Sequence, residues 1–358
     1  MHQGGPTAAQ LLQSIVNLPV INQPGKEFFY NNTVMAAGGY LPALALGVGE
    51  DQLAAAYAKQ MYSRLYRPAG MAGARLADDP RGLVTNYARG NARDLTGTFT
   101  TLPYASVGSY APIGGALTTL DDMAAYVRLQ LRAGVSVSGR RVVSAGNLAE
   151  CWKPHISVPV DHPNLDPDAA SSGYGMGWYL TRYRDGTSLI WHTGGIDGFT
   201  SWIGFLPEHD IGLVVLNSMS GNRFLPSGLF FYLYVLALLL SDRFALNVGV
   251  PAKALEANEA GMSDLRRAGR LSRPVDPRKV TPFLGYYERG YRVVLQDRDL
   301  RILLGSRVMP LRAMTDGGYI VSGGLLVGNL VKLNRDSDGV PQLELVGYET
   351  VRRTVGLD

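Results

Sequence analysis

Apolar residues follow two periods along this chain, and the change between them divides the sequence. The first 150 residues carry helical spacing. Thr33–Leu46 is rich in Ala and Leu, with Gly38, Gly39 and Pro42 expected to kink or divide the helix. Asp51–Arg67 places Leu53, Ala56, Tyr57, Met61 and Leu65 on one stripe and is closed by Pro68 and Gly70. Further on, Thr118-Thr119-Leu120-Asp121 offers a cap for a helix over Asp122–Arg132.

Near Gly177 the pattern becomes short and β-rich. Gly177–Tyr183, Ser188–His192, Thr200–Leu206 and Ile211–Asn217 are separated by turn signals at Asp185-Gly186, Gly194–Gly198 and Glu208-His209-Asp210. That spacing predicts an antiparallel meander. Leu229–Leu240 is unbroken apolar sequence, expected to be a helix lying on a sheet face. A bilayer span needs about 20 such residues, and Pro226 and Gly228 interrupt the flank, so no membrane span is expected. Between Ala252 and Lys279 the chain turns polar and basic. Short strands follow at Tyr291–Gln296, Leu300–Leu304, Arg307–Leu311, Leu325–Leu333 and Gln342–Tyr348. The expected organisation is an α+β unit over residues 1–250, with helices flanking an antiparallel sheet. A linker at 251–274 and a small antiparallel, barrel-like all-β unit at 275–358 complete it.

Composition narrows the class. The chain is 46% hydrophobic and 18% charged, which is globular rather than disordered. Arg266, Arg267, Arg270, Arg273, Arg278 and Lys279 concentrate positive charge in one short stretch, expected to be a solvated connector. Nucleic-acid binding would want a broader basic face with interleaved aromatics, so no nucleic-acid partner is expected. The single cysteine, Cys151, excludes an intrachain disulfide and is expected to be a small buried hydrophobe. His155, Asp161 and His162 sit among prolines and are expected to be solvated loop residues, and no metal is expected. Met1-His2-Gln3-Gly4-Gly5-Pro6 has neither the basic nor the apolar region of a signal peptide. Either the protein stays where it is made, or its true N-terminus is missing.

Two clusters carry chemistry. The first is Pro24-Gly25-Lys26-Glu27-Phe28-Phe29-Tyr30-Asn31-Asn32, and the second is His192-Thr193-Gly194-Gly195-Ile196-Asp197-Gly198-Phe199. Taken singly, the first can be a tyrosine at a helix start with an asparagine capping it, and the second a hairpin turn. Taken with Pro68-Ala69-Gly70-Met71, Gly114–Asp121, Tyr174-Gly175-Met176-Gly177-Trp178, Gly198-Phe199-Thr200-Ser201 and Pro207-Glu208, in this order, they resemble the serine β-lactamase and penicillin-binding-protein superfamily. The resemblance lies with the branch of class C-like enzymes, D-alanyl-D-alanine carboxypeptidases and esterases, and it covers residues 20 to 217. The tail is similar to a small β-domain often appended in that branch.

The resemblance implies an acyl-enzyme mechanism without a cofactor, acting on a small-molecule or peptide substrate. In it, a serine attacks a carbonyl and a lysine one helical turn later takes its proton. Tyr30 would act as phenolate or proton relay, and Asn32 would hold the lysine and the substrate amide. His192, Thr193, Gly194 and Gly195 would form the opposite wall, with Thr193 bonding substrate and the Gly195 N–H supplying half of an oxyanion hole. The departure is at the nucleophile. None of the six lysines has a serine three residues before it, so no Ser-x-x-Lys occurs, and Ser14 has no base beside it. The expectation is therefore a chain lacking its N-terminal nucleophile segment, which would be periplasmic or secreted if that segment carries a signal peptide. The alternative is a non-catalytic ligand-binding protein on the same fold. Family lysines at position 192 are fixed cations, whereas an imidazole with a pKa near 6.5 is mostly neutral at pH 7. Histidine there points to esters, amides or D-amino-acid peptides over efficient β-lactam hydrolysis.

Overall fold

The computed structural model describes residues 6–16, 18–20, 22–159, 169–220, 250–304, 307–324 and 326–354. Its N-terminal helices pack on one another. Helix Ala8–Val16 sets Ala8 and Leu11 against Ala36, Ala37, Tyr40 and Ala43 of helix Asn32–Ala45. That second helix runs through Gly38, Gly39 and Pro42 unbroken, contrary to the sequence expectation. Pro42 and Gly38 both lie on its exposed side, so the carbonyl that loses its hydrogen bond to Pro42 faces water. Gly39 is a contact residue, because a Cβ there would overlap Pro112. The helix expected over Asp51–Arg67 is segmented instead, with an α-helix at Leu53–Gln60, a wider π turn at Met61–Tyr66 and a left-handed Gly70 ending the run.

Two short ladders pair β1 (Arg75–Leu76) with β4 (Ala116–Leu117) and β2 (Asn91–Arg93) with β3 (Phe99–Thr101). Helix Leu120–Leu131 opens with a capping box between Thr119 and Asp122. Asp122 is more than a favourable charge at a helix start. Its buried carboxylate also accepts the Gly73 N–H at 3.0 Å, tying two loops together. The chain then forms a meander of β5 (Ile156–Ser157), β6 (Ala169–Tyr174), β7 (Tyr179–Tyr183), β8 (Ser188–Ile196), β9 (Phe199–Leu206) and β10 (Ile211–Asn217). All neighbours are antiparallel, in the order β10-β9-β8-β7-β6-β5. Helix Leu120–Leu131 lies on this sheet through Val127, which shares a core with Trp178, Ile190 and Phe205. Gly212 makes the close approach possible, since a Cβ there would run into Val127.

Two turns differ from the sequence expectation. β8 does not end at His192 but continues through Gly194 and Gly195, with Gly195 opposite Thr200, so the turn is only Asp197-Gly198. The glycines are strand residues here because they pair with β9. Gly194 in particular has no room for a side chain against Ser201. Conversely, Gly175–Trp178 is a tight turn between β6 and β7 rather than strand, with Gly177 at φ 81.

The largest correction lies at residues 251–274. Val250–Leu271 is one long helix, not a solvated connector. Met262, Leu265 and Ala268 recur every three residues, and Leu265 is fully buried with Leu95, Met314, Ile320 and Val327. Arg266, Arg267 and Arg270 occupy the exposed side, which is why the segment's composition looks solvated. The apolar stretch Leu229–Leu240 lies outside the described residues, as do Asp161 and His162. Among the described residues, no helix is long and apolar enough to cross a membrane.

Beyond this helix come β11 (Ser272–Arg273), β12 (Gly285–Tyr286), β13 (Tyr291–Gln296), β14 (Asp299–Leu304), β15 (Arg307–Met314), β16 (Tyr319–Val321), β17 (Leu330–Arg335), β18 (Pro341–Leu345) and β19 (Glu349–Arg352). From β12 to β19 they pair in sequence order, and β11 adds to β15. The sheet curls until its ends meet. Tyr287 bridges Arg353, and the Thr354 N–H donates to the Tyr286 carbonyl at 2.8 Å. Inside sit Leu300, Ile302, Val321, Val331 and Leu343, each fully buried.

Candidate active site

Asn31 sets the first wall. Its side chain accepts the N–H groups of Thr33 and Val34 at 2.9 and 3.1 Å, capping helix Asn32–Ala45 and holding Tyr30 just before the first turn. The cap is thus Asn31 and not Asn32, whose exposed side chain makes no hydrogen bond among the described residues. Phe28 anchors the same segment on the sheet, its ring 5.3 Å from Tyr174 and 6.1 Å from Tyr179.

β8 sets the opposite wall. The Tyr30 ring lies 6.1 Å from His192, and it meets Tyr174 edge-on at 6.1 Å. Tyr179 stacks on Trp191 at 4.8 Å and closes the cluster from below, 5.5 Å from His192. Hydrogen bonds then fix the imidazole. Nδ1 of His192 lies 2.6 Å from the Thr193 carbonyl, which can only accept, so Nδ1 carries the proton. Nε2 is therefore an acceptor, and the Tyr174 hydroxyl, 3.1 Å away, donates to it. Burial lowers the pKa of His192, and the Thr193 contact opposes this only in part. The imidazole is neutral at pH 7.

Tyr30 is also neutral in this arrangement. Burial raises its pKa above the usual tyrosine value, and no charged neighbour counters it among the described residues. Tyr174 is pushed up further by burial and by the phenols of Tyr30 and Tyr179. A phenolate at Tyr30 needs a cation beside it.

Thr193, Gly194 and Gly195 line the exposed edge after His192. At Gly195 a Cβ would meet open space, so packing does not demand glycine there, and the backbone is open to approach. Large apolar side chains adjoining these residues in the chain are exposed: Phe29, next to Tyr30, is 64% exposed and Met176, two after Tyr174, 56%. Val34 and Met35 join them from the adjoining helix.

The structure brings Tyr30 beside His192, carries Thr193, Gly194 and Gly195 onward along the same strand, and gives Asn32 no hydrogen bond among the described residues. Tyr174, Phe28 and Tyr179 belong to the cluster but are absent from the sequence-derived set. Tyr174 had a signal in the Tyr-Gly-x-Gly-Trp run, where an aromatic precedes a glycine turn. Cys151 is half-buried, its thiol donating to the Asn147 carbonyl at 3.4 Å. Among the described residues no three His, Cys, Asp or Glu side chains converge as metal ligands, and His155 lies by Glu150 on the surface.

The Beta-lactamase family model matches residues 1–232. The chain belongs to the Beta-lactamase family. It is similar, at 21% identity over 65% of its length, to an unguisins hydrolase of Aspergillus campestris, and at 24% over 63% to one of Aspergillus violaceofuscus. This Beta-lactamase-family chain spans 41% and 40% of those two proteins. Its fold resembles that of the octameric penicillin-binding protein homologue from Pyrococcus abyssi. The two share 18% identity with a TM-score of 0.53, over 98% of this chain and 71% of that one.

Proposed function

We propose that this chain supplies the substrate wall of a serine hydrolase that forms an acyl-enzyme on an ester, amide or D-amino-acid peptide. The observation that carries the reading is the setting of His192, with Nε2 3.1 Å from the Tyr174 hydroxyl, Nδ1 2.6 Å from the Thr193 carbonyl, and burial that favours the neutral ring. Class C-like chemistry assigns the serine and lysine to a Ser-x-x-Lys pair, which these 358 residues do not contain and which this reading takes from another segment. The exposed apolar side chains of Phe29, Val34, Met35 and Met176 support that, because such a segment can pack on them. The lysine is also the cation that Tyr30 lacks.

With that pair in place, the serine oxygen attacks the substrate carbonyl while its proton passes to the lysine–Tyr30 pair. The Gly195 N–H stabilises the oxyanion. Tyr30 then protonates the leaving alkoxide or amine, and water releases the acyl group. His192 contributes shape and a hydrogen-bonded surface instead of positive charge, so the site does not demand a substrate carboxylate. The two fungal relatives, both named as hydrolases, support a hydrolytic reading.

The test has two parts. A fluorophosphonate probe should leave the 358-residue chain unlabelled, and stoichiometric labelling would mean that it holds a nucleophile of its own. The reading frame extended upstream should contain Ser-x-x-Lys. The protein it encodes should favour a short-chain p-nitrophenyl ester over a cephalosporin, with His192→Lys raising cephalosporin turnover. A stop codon just before Met1 would favour the non-catalytic ligand-binding alternative. Better hydrolysis of the cephalosporin, with no gain from lysine, would overturn the role given to His192.

A further inference from the structure

The tip of the β8–β9 hairpin is a strand end with little to hold it from the side. β8 pairs with β7 only as far as Trp191, whereas its pairing with β9 runs on to Ile196. From His192 to Ile196 the strand therefore has a neighbouring strand on one edge only, among the described residues. Segments with so few partners open most easily, and their position depends on the contacts of their turn.

The turn, Asp197-Gly198, is gripped from two directions. Gly198 is held within the N-terminal unit: its carbonyl accepts the Asn91 N–H at 3.1 Å, and its N–H donates to the Ser220 hydroxyl. Asp197 is held by the curled sheet. Its side chain is 7% exposed, and Oδ2 accepts the Nε–H of Arg307, the first residue of β15, at 2.6 Å. Oδ1 makes no hydrogen bond among the described residues, and no second cation pairs with this carboxylate there.

The pair is unequal. The Arg307 side chain is 41% exposed and can be hydrated without its partner, but Asp197 cannot. A carboxylate left unpaired at that depth is prohibitive. Without Arg307 the turn must open until water reaches Asp197. Gly195 lies two residues back, about 7 Å along the strand, and moves with the turn.

We propose that Arg307 is a positioning residue for the Gly195 N–H, acting through Asp197, so that the curled sheet sets the strand that carries it. The proposal rests on the hydrolase reading for what Gly195 does, and on the ion pair for what holds it.

The test follows backbone amide exchange by NMR in the full chain. Arg307→Met keeps the aliphatic stem and removes the charge. It should speed exchange across Thr193–Phe199 about tenfold, while Leu189–Trp191 in the same strand and Val293 and Ile302 in the curled sheet stay within about twofold. Arg307→Lys restores the charge and should regain most of the protection. Asp197→Asn leaves only the hydratable partner uncompensated, so its acceleration should be smaller, about threefold. Unchanged exchange at the tip in Arg307→Met, equal acceleration in all three regions, or a lysine no better than methionine would each overturn the proposal. Should Arg307→Met fail to fold, Arg307→Lys and Asp197→Asn decide by the same comparison, and tip exchange at the wild-type rate in Asp197→Asn would overturn it. In the longer protein of the hydrolase reading, Arg307→Met should lower kcat on a p-nitrophenyl ester about 100-fold with KM nearly unchanged. Faster tip exchange with kcat intact would also overturn the proposal. A wild-type longer protein without hydrolase activity would instead overturn the hydrolase reading and leave amide exchange to decide whether Arg307 holds the strand.

Discussion

The two large sheets of this molecule bury different kinds of side chain. The curled C-terminal sheet encloses a mainly aliphatic core, Leu300, Ile302, Val321, Val331 and Leu343, with Tyr287 and Tyr291 bringing hydroxyls that donate to the Phe283 carbonyl and to Glu349. The six-stranded sheet packs Tyr174, Tyr179, Trp191 and Trp202 instead. An aromatic core brings polar tips inside with it, and each tip needs a partner. The Trp191 indole finds Thr181 at 3.0 Å, and the Tyr174 hydroxyl finds His192 at 3.1 Å. One core is mainly aliphatic, its two tyrosine hydroxyls taken up by Phe283 and Glu349, whereas the other is mainly aromatic and reaches His192 through the Tyr174 hydroxyl. The same hydrophobic drive thus builds a filler in one region and a chemically addressable wall in the other.

The strongest way to break this contrast is Trp202→Ala, at a side chain only 1% exposed. Removal of a buried Trp costs about 3–5 kcal/mol. We expect the free energy of unfolding to fall by that amount, read from a lower denaturation midpoint, with the methyl resonances of Ile302 and Leu343 unmoved. Shifts of equal size in both regions would mean that the two cores are one.

Next in size is Leu265→Ala, at the contact joining the long helix, Leu95 and the curled sheet. A loss of roughly 2–4 kcal/mol is expected. Because this cluster couples the regions, the variant should also separate one unfolding transition into two by circular dichroism and tryptophan fluorescence. A single, merely shifted transition would place the coupling elsewhere.

The smallest effect sharpens the comparison at the site. Tyr174→Phe removes one hydrogen bond, about 1 kcal/mol, and frees Nε2 of His192 to take a proton. In the wild type, the folded pKa of His192 is held below its unfolded value by burial. Its contribution to stability is therefore full above pH 6.5 and declines as pH falls through the folded pKa. In Tyr174→Phe the His192 midpoint, followed by NMR, should rise and the acid decline become shallower. An unchanged midpoint would show that Tyr174 does not hold the neutral imidazole.

The sequence foretold these regions unequally, for physical reasons. Strands of period two were legible for β13, β14, β15 and β18 of the C-terminal sheet, whereas β11, β12, β16 and β19, two to four residues each, are too short to write an alternation, and β17 starts at Leu330 rather than Leu325. Thr119 and Asp122 were close to the expected cap because a cap is a local pattern. The helix Val250–Leu271 was hidden, since only Met262, Leu265 and Ala268 among many polar neighbours mark its buried face. Gly194 and Gly195 suggested a turn, and only pairing with Ser201 and Thr200 makes them strand. At the site, Tyr30 and His192 stood out as motif residues. The tie between Tyr174 and His192 did not, because it joins residues 18 apart through a meander whose register local patterns do not specify.

The ion pair of Asp197 with Arg307 has a consequence in time. The partners are 110 residues apart in the chain. At about 5–20 residues per second, a ribosome releases Asp197 roughly 5–20 s before its cation exists. Through that interval the carboxylate must stay hydrated, since burying it unpaired is prohibitive. The hairpin that carries Gly194 and Gly195 thus cannot settle while the N-terminal sheet is the only part made. The strand of His192–Gly195, encoded in the middle of the message, reaches its final form only after the curled sheet has begun to emerge.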